Sequence, residues 1–449
     1  MKVSVLVPIY NVSKYLDKCL ESLHQQSLQD MEILCLNDGS TDNSLQIINR
    51  YASLDSRFKV IDKQNTGYGD TINVGCSKAT GQYIAIVESD DYVETNMMEK
   101  LYDKAISTNA DIVKSSGVYF FSDESETVAP RNIVTNIPFD KVIDTYDFPA
   151  IFLTMPTIWT ALYKREMLTN NGVKLNDTPG ASFQDVSFLF QAYSYARRLV
   201  VLPESYYHYR QSNPYASSQY SNKLTRLTTE FSYTEKCAEK IGTDIIKQIY
   251  NRFVFMHLLA NYNDAPPNTQ LGFLVELQYH AKKCIEYGCL DPKYWDQDAI
   301  NILNEIVENR DNFFERTKKK IFDERLQQLS INCEAEALGI LETIKKESHV
   351  YLYGAGEIGR EILGIILKLG IDKNNISFLV SNSNDNPECI DGVSIMEVDK
   401  VPQGERHHLV IATVKESDQY TVLLTLTGFG FNKNIYLTKK IRSELLKIN

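Results

Sequence analysis

Tyr83-Ile84-Ala85-Ile86-Val87-Glu88-Ser89-Asp90-Asp91-Tyr92 is the stretch on which the reading of this chain turns. Its first five residues are apolar and rich in β-branched side chains, too short a run for a helix, and they predict a buried strand. The strand runs straight into three acids and a serine. Carboxylates delivered by a strand end into a crevice suit Mg²⁺ or Mn²⁺, which prefer oxygen ligands and share them with phosphates. A solvated acidic turn is the plainer alternative for an isolated Asp-Asp pair, so the surroundings of the pair have to decide.

Working outward, Lys2 to Pro8 reads as a central parallel strand that ends in Pro8-Ile9-Tyr10-Asn11. A helix should follow, with Ser13 as its N-cap and Leu16, Cys19, Leu20 and Leu23 on one face. Met31 to Leu36 predicts a second strand, ending in Asn37-Asp38-Gly39-Ser40-Thr41-Asp42, and Asp42 is placed to cap a helix carrying Leu45, Ile48 and Tyr51. Phe58 to Ile61 predicts a third strand, and Gly67-Tyr68-Gly69 breaks the chain before a helix over Thr71 to Ala79. Strand and helix in alternation mean a parallel sheet wrapped by helices. Ligands of such sheets sit beyond the carboxyl ends of the strands. Tyr10, Asn11, Asp38 and Asp90 all lie just past strand ends, which places them on one edge of the sheet.

Three ordered motifs, Val5-Leu-Val-Pro-Ile-Tyr-Asn11, Leu36-Asn-Asp-Gly-Ser-Thr-Asp42 and Gly81-Gln-Tyr-Ile followed by Glu88-Ser-Asp-Asp91, resemble those of the family 2 inverting glycosyltransferases over about residues 1–215. The resemblance implies a GT-A fold and a nucleotide-sugar donor. It implies that Tyr10 stacks on the nucleobase and that Asp38 bonds its imide edge, which favours uracil. Taken with the residues themselves, it sets Pro8, Tyr10, Asn11, Asp38, Lys63, Asn73, Glu88, Ser89, Asp90 and Arg210 around the donor, and Asp90 and Asp91, joined by the imidazole of His208, around a Mn²⁺ or Mg²⁺ ion. The chain also departs from the family pattern. Glu88 stands where the acidic motif often begins with Asp, and Thr71-Ile72-Asn73 replaces an Ala-Arg-Asn signature, so the arginine is missing and Lys63 becomes the candidate cation for the diphosphate. Gly67-Tyr68-Gly69 is either a compensating backbone contact or a simple turn.

Further on, Leu101 to Ala105 predicts a helix and Ile112 to Phe121 a strand of the acceptor half. Trp159-Thr-Ala-Leu-Tyr-Lys-Arg165 resembles a family segment in which the tryptophan is either a buried platform or an acceptor-stacking ring. Gly180-Ala-Ser-Phe-Gln-Asp185 precedes an apolar helix from Val186 to Ala196. An acid at that place is ordinarily a cap. The resemblance makes Asp185 the general base that deprotonates the acceptor hydroxyl, and Gln184, standing where Glu is common, removes one neighbouring charge. A strand over Arg198 to Leu202 leads into Tyr206-Tyr-His-Tyr-Arg210, where His208 offers an imidazole and Arg210 a fork for diphosphate oxygens.

Residues 222–345 read as helices, with a basic run at Lys318-Lys319-Lys320 that is a solvated face or a contact for lipid phosphate. A new α/β unit begins near residue 346. Its strand Val350 to Tyr353 is followed by Gly354-Ala-Gly356-Glu-Ile-Gly359, a dinucleotide fingerprint in the right context. The acid that would hold a ribose is missing at Val380-Ser381-Asn382, so a docking or oligomerisation module is the competing reading. The predicted organisation is thus an α/β GT-A domain over 1–221, a helical accessory region over 222–345 and a small Rossmann-like domain over 346–449.

Composition narrows the class. The 449 residues exceed a single core, and the net charge of −11 argues against a general nucleic-acid binder. Eight cysteines without a Cys-x-x-Cys pair fit reduced thiols. No apolar run reaches the roughly 18 residues of a membrane span, and the first residues follow a strand pattern rather than that of a secretion signal. The expectation is a cytoplasmic enzyme, with peripheral contact at the inner face of the cell membrane left open. It would transfer a sugar from a UDP-sugar to a hydroxyl of a surface glycan, glycoprotein or lipid-linked acceptor. Two alternatives compete: an NAD(P)-linked sugar-nucleotide enzyme centred on Gly354 to Gly359, and a scaffold with a degenerate transferase fold.

Overall fold

The computed structural model describes residues 1–449 apart from 123–128, 182, 214–222, 266, 330–332, 382–387, 432 and 449. The chain divides into two compact units, Met1–His257 with His280–Asn301, and Leu258–Tyr279 with Ile302–Asn449. The predicted helical region 222–345 therefore contributes to both.

The first unit opens with β1 (Val3–Ile9), α1 (Ser13–His24), β2 (Met31–Asp38), α2 (Ser44–Leu54), β3 (Phe58–Lys63), α3 (Tyr68–Lys78) and β4 (Tyr83–Ile86). It continues through β5 (Tyr92–Val93), α4 (Met97–Thr108), β6 (Ile112–Phe121), β7 (Arg131–Asn132), β8 (Ala161–Lys164), α5 (Arg165–Asn171), α6 (Gln184–Tyr195) and β9 (Leu199–Arg210). Their sheet runs β3-β2-β1-β4-β8-β6-β9-β5, with β7 on β6. The β3-β2-β1-β4 half is parallel, β8 is antiparallel to both neighbours, and β9 returns parallel to β6. Every residue of β1 and β2 is buried, as an apolar strand covered by helices on both faces requires.

Two local expectations change. Ser13 does not cap α1 with its side chain; instead Asp42 accepts from Ser13 N at 2.9 Å and from Ser44 N at 3.0 Å, holding the starts of α1 and α2 together. The last strand is also longer than Arg198 to Leu202. Pairing with β6, irregular between Ser115 and Val118, draws the whole Tyr206–Arg210 segment into β9. Buried within β6, the Lys114 ammonium donates to Thr157 O at 2.7 Å and to the hydroxyls of Thr157 and Thr160, each at 2.6 Å. Burial pulls its pKa down to about 7.

The helices α7 (Lys223–Ile241), α8 (Asp244–Asp264), α9 (Pro267–Glu286), α10 (Gln297–Glu308), α11 (Arg310–Leu329) and α12 (Cys333–Lys345) follow. None, among the described residues, is long and apolar enough to cross a membrane. The second unit then builds a six-stranded sheet from β10 (Val350–Tyr353), β11 (Ile376–Val380), β12 (Cys389–Ile390), β13 (Val393–Glu397), β14 (Leu409–Ala412) and β15 (Asn434–Tyr436). The order is β12-β13-β11-β10-β14-β15, parallel except at the β12 edge. Alternation along β10 sends Val350 and Leu352 into one apolar cluster, and Tyr351 and Tyr353 into another.

Candidate functional site

The carboxyl ends of β1, β2 and β4 present the predicted donor residues. Tyr10, just past β1, is 53% exposed. Pro8 is buried inside β1 opposite Leu36. Asn11 takes a left-handed backbone (φ 50°), and its Oδ1 accepts from Thr41 N at 2.8 Å, stapling the end of β1 to the turn after β2. Asp38 is nearly buried. Its Oδ1 accepts from Thr66 N at 2.9 Å and Lys63 Nζ at 2.5 Å, and its Oδ2 from Gly67 N at 3.0 Å. Lys63 also pairs with Asp70 at 3.2 Å, so this cation is held between two carboxylates. Asn73 forms a two-bond clasp with Leu175, accepting from its N at 3.0 Å and donating to its O at 2.9 Å.

The acidic turn after β4 is fixed mainly from β9. Tyr207 accepts from Glu88 N at 3.0 Å and donates to Asp91 Oδ2 at 2.9 Å. Arg210 N donates to Asp91 Oδ1 at 2.8 Å, and Arg210 Nε to Asp90 O at 2.8 Å. Both carboxylate oxygens of Asp91 are thereby engaged inside the protein, and Asp91 is buried. Asp90 stays partly exposed, its Oδ2 accepting from Asn213 Nδ2 at 2.7 Å. Ser89 is buried. Glu88 reaches the other way and accepts from the Tyr68 hydroxyl at 2.5 Å.

Strand alternation separates the remaining expectations. Tyr207 and Tyr209 project from one face of β9, and His208 from the other. The imidazole of His208 is stacked between Tyr92 and Tyr119, at 4.1 and 4.6 Å, with Nε2 against Glu94 at 2.8 Å. Alternation puts it on the face of β9 opposite Tyr207, whose hydroxyl holds Asp91. The Arg210 guanidinium lies over Tyr15 and Phe121, at 4.3 and 4.5 Å, and is buried. Trp159 is 7% exposed beneath Tyr209, whose ring is stacked on it at 5.4 Å, so the tryptophan is the platform and Tyr209 its outer layer.

Asp185 lies in the first turn of α6, which follows Phe183 with its left-handed φ of 60°, and its Oδ1 accepts from Val186 N at 2.9 Å. Gln184 donates to Thr178 Oγ1 at 2.9 Å and Gly180 O at 3.2 Å, bonds that a glutamate in this place could not give.

The acids share one electrostatic environment. Burial, followed by repulsion from Asp90 and Asp185, pushes Glu88 up to about 8. Burial, followed by Asp90, raises Asp91 well above the usual carboxylate range. Burial, with repulsion from Glu230 on α7, lifts Asp185 to about 7. Tyr209 lies in the field of Asp91, Asp90, Glu88 and Asp185 together, and burial together with that field pushes its hydroxyl up to about 12. Segments 95 residues apart in sequence therefore act on the same groups: Asp90 and Asp185 each raise both Glu88 and Tyr209. No three His, Cys, Asp or Glu side chains among the described residues form a ready-made metal cage. Mg²⁺ and Mn²⁺ do not require one, since they commonly take one or two carboxylates and complete their shell with phosphate and water. Asp90 fits that pattern better than Asp91.

Tyr68, Tyr207, Tyr209 and Glu230 also border these acids and are not among the residues expected from the sequence. Tyr68 lies in the Gly-Tyr-Gly break, and Tyr207 and Tyr209 in the Tyr206–Arg210 segment, whose two faces become legible once β9 is known to extend that far.

Comparison with known proteins follows the same lines. Residues 4–171 match the family model described as "Glycosyl transferase family 2". The chain is 34% identical over 212 residues to the Bacillus subtilis protein "Uncharacterized glycosyltransferase EpsJ", covering 47% of this chain and 61% of that protein. It is 28% identical over 279 residues to the Streptococcus pneumoniae "Glycosyltransferase GlyG", covering 60% of this chain and 90% of the relative. Among solved structures, S. aureus TarS 1-349 in complex with UDP-GlcNAc superposes with a TM-score of 0.55 at 19% identity, over 73% of this chain and 92% of that one. At that identity the likeness is one of fold. Over residues 4–171 the chain therefore matches glycosyl transferase family 2 in sequence, on an α/β scaffold of the kind that TarS shares.

Proposed function

We propose that this chain is a metal-dependent inverting glycosyltransferase that moves a sugar from a UDP-sugar to a hydroxyl on a bacterial surface glycan, glycoprotein or lipid-linked acceptor. The observation that carries the reading is the convergence of Asp90 and Asp185, from separate loops, on the buried Glu88, which both repel and which the Tyr68 hydroxyl holds. Such a cluster of acids is costly unless a cation or a proton-transfer task uses it. The family match supports glycosyl transfer, and the TarS complexes with UDP and UDP-GlcNAc support uridine as the nucleotide.

On this reading Tyr10 stacks on uracil and Asp38 accepts from its imide N–H through the capacity left on Oδ2. Asp90 holds a Mg²⁺ or Mn²⁺ ion, which when bound would neutralise charge on the departing diphosphate. Asp185, raised towards neutrality, takes the proton of the acceptor hydroxyl as that oxygen attacks the anomeric carbon opposite the leaving UDP. Tyr209 offers an aromatic face to the acceptor. Free thiols at Cys19, Cys35, Cys76, Cys237, Cys284, Cys289 and Cys389 suit a cytoplasmic setting. The second unit we read as a Rossmann-like module: the parallel order and the glycine turn after β10 support it.

The test is release of UDP from a panel of UDP-hexoses and UDP-N-acetylhexosamines, with and without Mn²⁺ or Mg²⁺. Slow, metal-stimulated release from at least one donor is expected. Absence of release from every donor, with or without added simple sugars as acceptors, overturns the reading.

A further inference from the structure

The assignments above leave Tyr68 without a task. We propose that Tyr68 is a positioning residue that ties the acidic turn to the loop carrying Asp185, an inference that rests on the glycosyl-transfer reading of this site. Its hydroxyl donates to Glu88 Oε1 at 2.5 Å, and its backbone N donates to Gly180 O at 3.2 Å, five residues before Asp185. The preceding residue, Gly67, donates to Asp38 Oδ2 at 3.0 Å. Two consecutive residues thus bond to the nucleobase end, the acidic turn and the base loop.

The flanking glycines show how close the approach is. Gly67 has φ +101°, and a Cβ there would stand 3.1 Å from both Gly180 N and Thr178 O. A Cβ at Gly69 would stand 2.1 Å from Asn176 O. Loop 176–180 therefore lies backbone against backbone on the Gly-Tyr-Gly segment, which is more than a turn. Its other side is held by Asn176 Nδ2 to Glu230 at 2.9 Å and by the two Gln184 bonds. Glu88 is one methylene longer than the aspartate common at its place, and that length spans to the Tyr68 hydroxyl. The long acid and the tyrosine form a matched pair.

The test combines Tyr68→Phe, Glu88→Ala and the double variant in the full chain. Amide exchange read by mass spectrometry is expected to rise at least fivefold across 64–72 and 176–186 in Tyr68→Phe and in Glu88→Ala, with strand 31–38 unchanged. UDP release from the donor that the wild type uses is expected to fall ten- to a hundredfold in kcat in Tyr68→Phe, with the Kd for UDP within threefold. In the Glu88→Ala background the same change should add less than threefold, because Tyr68 acts through that carboxylate. Exchange across 176–186 that stays at the wild-type level overturns the tie, whatever the substrate. A loss confined to KM, or an equal factor in both backgrounds, overturns positioning through Glu88. A wild type that releases UDP from no donor defeats the glycosyl-transfer reading instead, and the exchange result still decides on Tyr68.

Discussion

The two sheets of this chain are built on one plan and furnished differently. In both, an apolar central strand, β1 or β10, is flanked by parallel partners and followed by a turn into a helix. At or just past the ends of β1, β2 and β4 stand Tyr10, Asn11, Asp38, Glu88, Asp90 and Asp91. Beyond β10, β11 and β14 stand Gly354, Ser381 and Thr413, none of them an acid, and Thr413 spends its hydroxyl on Tyr353 O and Gly354 O at 3.0 and 2.8 Å. Parallel topology supplies a crevice in each case; of these described residues, only the first set contains carboxylates, the groups suited to hold a cation or move a proton. Architecture offers the place, and side chains decide whether it is used.

Breaking the furnished site should cost activity, and breaking the plain one should cost stability. The largest effect is expected for Asp185→Asn, with turnover down about a thousandfold and the Kd for UDP within threefold, read by UDP release and calorimetry. Retention of most of the rate would remove Asp185 as the base. Next, Asp90→Asn should lower metal-stimulated release about a hundredfold, while Asp91→Asn should chiefly lower Tm, because Asp91 is bound on both oxygens within the fold. A metal titration of the two variants separates them. In the wild type, kcat/KM should fall about tenfold per pH unit below about 7, since Asp185 must be ionised to accept a proton and its pKa is raised to that region. A limb near pH 4 would contradict that environment. The smallest effect on catalysis belongs to the second sheet. In Gly359→Ala a Cβ would meet Gly354 O at 2.2 Å, so the unit should lose about 1–3 kcal/mol in a denaturant melt with the rate on a UDP-sugar unchanged.

The sequence made the parallel half legible because its signals are local. β1, β2 and β4 are unbroken apolar runs, and their ends fall where the polar motifs begin. What stayed hidden depends on pairing between distant segments. Nothing local distinguishes a strand ending at Leu202 from one ending at Arg210; the partner β6 decides it, and with it the face on which His208 lies. Asn73 and Gln184 read as ligand or charge positions, yet both bond to neighbouring protein segments whose distance along the chain no periodicity reveals. The three-way division at residues 221 and 345 remains a proposal drawn from the change in pattern.

Lys114 gives the molecule a second slope against pH. Asp185 and Glu88 hold protons more tightly folded than unfolded, so the stability they contribute is complete below about pH 4 and is lost as pH rises through about 7–8. Lys114 binds its proton less tightly when folded, so its contribution grows as pH climbs from about 7 towards 10.5. These two contributions are both smallest near neutrality, where Asp185 passes from its protonated to its ionised form. Thermal scans should show Asp185→Asn losing part of the fall in melting temperature between about pH 4 and 7, and Lys114→Met losing part of the rise between about pH 7 and 10.5.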